Sequence, residues 1–381
     1  MNPGGWIGAP GRMSMKIIQT PVRIGTTGGV EEYVHHLSKG LTSRGHQVTV
    51  VCAAAGESAL KDAGYPRKLL RSWFRLANTD ITPALLPTLL SSDFDLIHTH
   101  IPTPWTAEIS ALVSRIRNKP LILTYHNDIR GEGIYALVAW TYNRFILPLV
   151  LRQASRIIIT RTRHLSPYLA PFSGKLVCIP PGVDSHFFSP GKDPGKRGDL
   201  FFLGIFDEYH QYKGFDLLLQ AIALLVQQGT DLTLIAGGSG PLVGRYRELA
   251  ADLSIERNVI FPGYIPGGEL PSYYAGTRAF VLPSTDPSRE GFGIVLLEAM
   301  ACGRPVIATD IAGMAAEIEE CGAGIIVKRN DPSELADAIR RLIDNKPLAG
   351  RMGDAGRRLI EERFGWEIIA GEVETLYAGV L

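Results

Sequence analysis

The chain has 381 residues, which at ~150 residues per domain suggests two or three domains rather than one core. Hydrophobic residues make up 45% and charged residues 20%, a globular composition. The 39 basic and 38 acidic side chains leave a net charge of +1, which argues against nucleic acid or another bulk polyelectrolyte as a partner.

The first residues, MNPGGWIGAPGRMS, contain no apolar stretch of signal-peptide type. Residues 1–14 read as a disordered leader, with the fold starting near Met15. Short apolar strands then alternate with amphipathic helices: a strand at 16–20, a helix at 30–43 and a strand at 47–52. From Arg67 to Ala77 a period of ~100° per residue puts Leu70, Trp73, Phe74 and Ala77 on one helical face. Lys68, Arg71 and Arg75 fall on the other. Such a helix either lies in an anionic membrane interface or packs its apolar stripe on its own domain. Strands at 96–100, 121–125 and 156–160 follow, with a helix at 106–116 after the first of them. Asp93-Phe-Asp95 reads as a turn before a strand rather than a metal motif. His98 and His100 share one strand face, but no third ligand accompanies them, so no metal site is expected. The run from Ile134 to Leu151 is the most apolar of the chain. Asn143 and Arg144 interrupt it and Pro148 would kink it, so it falls short of the ~20 residues that span a bilayer. It reads as a buried or interfacial helix.

Ile179-Pro180-Pro181-Gly182-Val183-Asp184, followed by a polar loop at 189–198, marks the joint between two series. The second series has strands at 200–204, 232–236, 259–261, 279–282, 305–308 and 324–327. Helices at 215–227, 242–253, 293–301 and 332–343 separate them. Continuous apolar strands alternating with helices indicate α/β architecture, with parallel sheets covered on both faces. Cys52, Cys178, Cys302 and Cys321 are far apart and form no C-x-x-C pair, so neither a disulfide framework nor a zinc ribbon is expected and a reducing cytoplasm fits.

The most informative segment runs Glu290-Gly-Phe-Gly-Ile-Val-Leu-Leu-Glu298-Ala-Met-Ala-Cys-Gly303-Arg-Pro305-Val-Ile-Ala. A strand enters a polar loop, and a glycine-flanked turn opens a helix whose free amides attract phosphate oxygens. Gly291 and Gly293 let a ligand approach the backbone. Glu298, about one and a half turns into the helix, is placed to accept hydrogen bonds from sugar hydroxyls.

This segment resembles the signature of the retaining family-four glycosyltransferases of the GT-B fold. That family contains phosphatidylinositol mannosyltransferases and sucrose and glycogen synthases. The resemblance extends over almost the whole chain from Met15. Gly28-Gly29 is similar to the family's N-terminal glycine pair. Asp95-Leu-Ile-His98-Thr-His100 and Thr124-Tyr-His126-Asn-Asp128 are similar to loops beside its acceptor and transferred sugar. Pro181-Gly182-Val183-Asp184 is similar to its interdomain segment. Tyr212-Lys213-Gly214 resembles its phosphate-binding lysine loop, and Gly237-Gly-Ser-Gly240-Pro241 its nucleotide-side glycine loop. One departure stands out: where relatives place Gly-Arg-Leu after the first strand of the second domain, this chain has Gly204-Ile205-Phe206 and a longer loop before Lys213.

The resemblance implies two Rossmann-like domains facing each other across a cleft, with a C-terminal helix crossing back to the first. The first would comprise residues 15–178 plus 365–381 and carry the acceptor. The second, residues 179–364, would carry the nucleotide sugar. The final helix would turn at Gly365 and pack through Trp366, Ile369, Val373 and Leu376. The resemblance also implies a catalytic set of His126, Lys213 and Glu290. Gly28, Gly29, Gly240, Gly291, Phe292, Gly293 and Glu298 would bind the donor, with no metal and no cofactor. Lys213 would neutralise the departing diphosphate, with His210 assisting, and Glu298 would bind the ribose. The expected protein is a retaining, metal-independent hexosyltransferase using a UDP-, GDP- or ADP-linked sugar and an acceptor hydroxyl on a lipid or glycan. It would be cytoplasmic, at the inner face of the cell membrane if residues 67–77 bind lipid. The alternative is a non-catalytic sugar-nucleotide or glycan-binding protein on the same scaffold, or an epimerase acting on UDP-N-acetylglucosamine. Retention of Glu290, Glu298, Lys213 and His126 argues against a binding-only protein.

Overall fold

Strand β1 (Lys16–Thr20) buries all but its first residue. Strands this apolar need cover on both faces, which parallel crossovers supply. β2 (Gln47–Ala53) follows helix α1 (Gly29–Ser43), and β3 (Arg67–Leu70), β4 (Phe74–Leu76) and β5 (Thr79–Ile81) come next. After helix α2 (Leu85–Ser91) come β6 (Leu96–Ile101), α3 (Thr106–Arg117) and β7 (Leu121–Tyr125). Helices α4 (Ile134–Thr141) and α5 (Leu147–Gln153) are joined by a π-helical turn, Tyr142–Ile146, and lead to β8 (Arg156–Ile159) and β9 (Leu176–Cys178). The seven-stranded sheet runs β3-β2-β1-β6-β7-β8-β9.

The second series is β10 (Leu200–Leu203), α6 (Phe215–Gln227), β11 (Leu234–Gly237), α7 (Val243–Asp252) and β12 (Val259–Gly263). It continues through α8 (Leu270–Ala275), β13 (Ala279–Leu282), α9 (Ile294–Ala301), β14 (Val306–Thr309), α10 (Ala315–Cys321) and β15 (Gly324–Val327). Three helices close the chain: α11 (Pro332–Asp344), α12 (Lys346–Leu359) and α13 (Trp366–Ala378). The six strands order as β12-β11-β10-β13-β14-β15 and pair in parallel. The two-residue period of a strand feeds two cores. Leu200 and Phe202 of β10 join one with Leu234, Val281 and Ile307. Phe201, their neighbour in sequence, joins the other with Ile235, Phe280 and Val306.

This computed structural model describes residues 14–24, 29–54, 63–76, 79–102, 104–129, 131, 133–162, 165–191, 195 and 197–381. The leader expected at 1–14 therefore lies outside them up to residue 13, as do Gly28 and Ala77. The chain divides into two units, each described by itself. The first holds residues up to Ile158 with Ala170–Val177 and Ala370–Leu381; the second holds Ile159–Leu169 and Cys178–Ile369.

One expected element is corrected. The stretch from Arg67 is not an amphipathic helix: β3 pairs in parallel with β2, Val50 opposite Arg67 and Cys52 opposite Leu69, and β4 forms an antiparallel pair with β5. Extended backbone here satisfies the otherwise open N–H and C=O groups along β2, and that pairing outweighs the local helical period. The helical face expected there for a membrane does not form among the described residues 67–76.

The joint before α13 also differs in mechanism. Gly365 has φ −68°, an ordinary value that needs no glycine. The bend is held instead by the amide of Val183 donating to the carbonyl of Phe364 at 2.8 Å. Ile369, Ala370, Val373 and Tyr377 are fully buried, so Tyr377 takes the place expected for Leu376 at the centre of the packing stripe.

Candidate active site

In an open parallel sheet, ligands bind beyond the carboxyl ends of the strands where the strand order reverses. In the second unit that point lies at β10, flanked by β11 on one side and β13 on the other. The loops after these strands carry the signature residues. The loop from Gly204 to Gly214 lies against the glycine loop after β11: Gly204 N–H donates to Gly237 O at 3.1 Å, and Phe206 N–H to Ser239 O at 3.1 Å. A Cβ on Gly240 would stand 2.2 Å from Phe206 O, so only glycine fits. That contact places Gly240 as a packing residue of the loop as well as a donor candidate.

Lys213 ends a short 3-10 turn. Its stem lies along Gly204, whose Cβ position is 3.3 Å from Lys213 Cδ, and its ammonium sits 5.7 Å from the Tyr212 ring centroid. The same loop is bolted to the loop after β13 by Thr285 N–H, which donates to Tyr212 O at 2.7 Å. Gly214 turns the chain there with φ +71°, and a Cβ would meet Pro283 O at 2.0 Å. Burial raises the Tyr212 phenol, and the charge of Glu290 adds to the shift. His210, the expected helper of Lys213, has its Nδ1 2.7 Å from Asp207 Oδ1, so its ring orientation is set by that carboxylate.

Glu290 is 3% exposed. Its side chain accepts from Ser284 Oγ. Ser284 is held in turn by Thr309 Oγ1, which donates to Ser284 O at 2.7 Å. The main chain of Glu290 and Gly291 is gripped by Arg161, whose Nη1 donates to both carbonyls, at 3.2 Å to Gly291. Phe292 is buried, and its Cα stands 2.8 Å from the Cβ position of Gly313. Gly293, with φ +83°, is the N-cap of α9, where no side chain caps the first amides. Glu298 lies on α9 and accepts from the buried Tyr274 hydroxyl at 2.5 Å. The structure thus brings Lys213, Gly240, Glu290, Gly291, Phe292, Gly293 and Glu298 together in one unit. Ser284, Arg161, Tyr274, Thr309 and Gly313 complete it and were missed in the sequence. Arg161 had a signal: it is a cation just beyond the carboxyl end of a strand.

Gly29 and His126 belong to the first unit. Gly29 opens α1. His126 follows β7, and its N–H donates to Ile101 O at 2.9 Å. Its ring meets Tyr33 of α1 edge-on, centroids 5.1 Å apart, and lies 5.6 Å from the His100 ring. Behind it runs a buried polar chain. His126 Nε2 is 3.4 Å from His100 Nδ1, and His100 Nε2 is 3.0 Å from Gln19 Oε1. Gln19 Nε2 donates to Tyr377 OH at 3.5 Å, which is 2.6 Å from His98 Nδ1; His98 Nε2 is 2.7 Å from Thr124 Oγ1. Burial pushes His126 down to about 4 and His98 down to about 3, so both imidazoles are neutral at physiological pH. The ring nitrogens of His98 and His100 are thus engaged by Tyr377, Thr124, Gln19 and His126. Asp95 Oδ2 accepts from Lys16 N at 2.8 Å and Asp93 pairs with Lys16 Nζ, so both carboxylates of that D-x-D are engaged by one lysine ahead of β6. Among the described residues no group of three or more His, Cys, Asp or Glu is placed to hold a metal ion.

Two doubly wound parallel sheets with signature loops at their strand ends define a GT-B glycosyltransferase fold. Anabaena HepE, solved in complex with UDP, superposes with a TM-score of 0.77 at 21% identity, covering 96% of this chain and 100% of that one. The family models for glycosyltransferase family 4 and for glycosyl transferases group 1 match residues 27–187 and 190–359. The chain belongs to the family-four glycosyltransferases of the GT-B fold. It is 28% identical to a GDP-mannose-dependent alpha-(1-6)-phosphatidylinositol monomannoside mannosyltransferase of Mycolicibacterium smegmatis, over 92% of this chain and 95% of the relative. It is 27% identical to the phosphatidyl-myo-inositol mannosyltransferase of Mycobacterium tuberculosis, over 94% and 95%.

Proposed function

We propose that the protein is a retaining, metal-independent hexosyltransferase that takes its sugar from a nucleoside-diphosphate donor. The observation that carries this is the second unit's arrangement at the strand switch point. The Lys213 loop is hydrogen-bonded to the loop after β13 that carries the buried Glu290 turn, and that loop leads directly into the open N-terminus of α9. Lys213 is a cation with no carboxylate partner among the described residues, suited to a diphosphate. Glu298, oriented by Tyr274, is suited to paired ribose hydroxyls. Glu290 and the amides of Phe292 and Gly293 are assigned to the transferred sugar and its phosphate, and His126 to the sugar near the reacting carbon. In the reaction the donor's C1–O bond breaks and the diphosphate leaves. The acceptor oxygen bonds to C1 on the same face, and its proton passes to the departing phosphate oxygen. Lys213 is worth most where charge grows on that phosphate, in the transition state. The acceptor is placed on a lipid or a growing glycan, which the two mannosyltransferase relatives support.

The test is a panel of UDP-, GDP- and ADP-sugars, read first by thermal shift and then by transfer or slow donor hydrolysis in EDTA. One donor class should stabilise the protein and be consumed without metal, and NMR of the product should show an anomer of the donor's configuration. Inversion would overturn the retaining assignment, and loss of turnover in EDTA the metal-independent one. Stabilisation without turnover on any lipid or glycan acceptor would favour a binding-only protein.

A further inference from the structure

Helix α4, IYALVAWT, carries no charged residue. A helix apolar on every side is expected to be buried on every side, or to meet lipid. Here the buried stripe is narrow: between Tyr135 and Leu149 only Ala139, Asn143 and Leu147 are buried. Asn143 anchors the stripe by donating from Nδ2 to Ile129 O at 2.8 Å. Tyr135, Leu137, Val138, Trp140, Phe145 and Leu149 are each between 53% and 63% exposed. Trp140 and Phe145 touch edge to face, centroids 6.1 Å apart, so the exposed face continues across the π-helical turn. Gln153 of α5 donates to Ser114 of α3 at 3.2 Å, which ties α5 to its own domain. A water-facing apolar surface this concentrated marks an interaction site.

The charges say what covers it. Between Glu132 and Asp184 the sequence contains no acidic residue. Arg144, Arg152 and Arg156 are exposed along the same stretch. Arg144 lies over the Phe145 ring, 5.5 Å from its centroid. The nearby acid of α3, Glu108, is engaged by the Tyr142 hydroxyl. Aromatic rings and aliphatic side chains bordered by arginines suit an interface with an apolar layer beneath an anionic one. A second copy of the chain in a two-fold contact would instead bring the same arginines face to face. No helix among the described residues is long and apolar enough to cross a membrane, so the contact is with a surface.

We propose that the face from α4 to the first turn of α5 seats the protein on a bilayer containing anionic lipid. Trp140, Phe145 and the aliphatic side chains enter the boundary between headgroups and acyl chains, and Arg144, Arg152 and Arg156 meet lipid phosphates. This surface is separate from residues 67–76, where apolar and basic residues interleave along β3 and β4 and Arg75 Nε is bound to Asp80 at 3.0 Å. It stands whatever the acceptor turns out to be.

The test is sedimentation of the full chain with vesicles of phosphatidylcholine alone or mixed with phosphatidylglycerol. The wild type should pellet with the anionic vesicles at least about tenfold more tightly than with the neutral ones, and less so in high salt. L137S/V138S/L149S should weaken that binding by about tenfold or more, since three apolar side chains no longer leave water. The same variant should keep its circular dichroism and its thermal shift with a nucleotide sugar, which separates this proposal from the donor reading. R144Q/R152Q/R156Q should lose the preference for anionic vesicles. Wild-type protein left in the supernatant, or pelleting equally with both vesicles, would overturn the proposal. So would undiminished pelleting of L137S/V138S/L149S, or binding abolished by W73S/F74S alone. A dimer that L137S/V138S/L149S dissolves, with no vesicle binding, would assign the face to a second copy instead.

Discussion

A buried imidazole works through the position of its one proton, and the chain behind His126 allows a single consistent assignment. Gln19 Nε2 donates to Tyr377 OH, so that hydroxyl gives its own proton to His98 Nδ1, and His98 Nε2–H donates to Thr124. Gln19 Oε1 can only accept, so His100 carries its proton on Nε2 and offers a bare Nδ1 to His126 Nε2–H. His126 then keeps Nδ1 as its acceptor nitrogen, the atom that the proposed sugar contact would use. Long-range proton–nitrogen NMR should show His126 and His100 protonated on Nε2, and Gln19→Leu should mix the tautomers of both. A wild-type His126 protonated on Nδ1 would sink the assignment. At the donor side, Glu298→Ala should raise the donor Kd about ten- to a hundredfold, as hydrogen bonds to a charged carboxylate are worth ~1.5–3 kcal/mol each. Lys213→Ala should lower kcat more than it raises KM, because its partner charge grows during bond cleavage. Unchanged kinetics in both variants would show the site to lie elsewhere.

At the scale of elements, the loops matter more than the strands they leave. Gly214 and Gly229 provide a controlled pair. Both have left-handed φ, +71° and +82°, but only Gly214 has a neighbour, Pro283 O, in the place of a Cβ. Gly229→Ala should cost ~1–2 kcal/mol from backbone strain alone. Gly214→Ala should cost more, and it alone should depress turnover, because the clash displaces the turn that presents Lys213. Equal losses of stability and no kinetic effect would mean that the two loops move independently. Central strands such as β7 and β13 were legible because their side chains are apolar on both faces over nearly every position. The edge strand β3 was not. Its residues have helical spacing, and only the unpaired edge of β2 makes the extended form preferable.

The molecule as a whole should lose stability on mild acidification. His98 is held at about 3 in the fold, mainly by burial, against its usual 6.5, and His100 is lowered in the same direction. Between these values the unfolded chain binds protons that the folded chain refuses, so stability rises with pH across the window and falls as pH drops below about 6.5. The slope should reach up to ~1.4 kcal/mol per pH unit for each such histidine. Urea unfolding from pH ~6.5 down to ~5, above the carboxylate range, isolates the effect. A flat wild-type profile, or one unaltered in His98→Gln, would show that these imidazoles are solvated.

The sequence by itself determined the α/β class, nearly every central strand, and the order of motifs that marks the family. These are properties of local composition, because a buried parallel strand and a glycine-opened helix each announce themselves within ten residues. Tertiary structure alone decided who holds the site residues. Ser284 beneath Glu290, Arg161 across its main chain, Tyr274 behind Glu298 and Gln19 behind His100 lie 6, 129, 24 and 81 positions away. A hydroxyl or guanidinium acquires such a role only when the sheet brings the ends of its strands together. The face of α4 was decided the same way. Its apolar composition is plain in the sequence, but whether those side chains meet a core or meet water depends on how narrow a stripe the neighbouring elements cover.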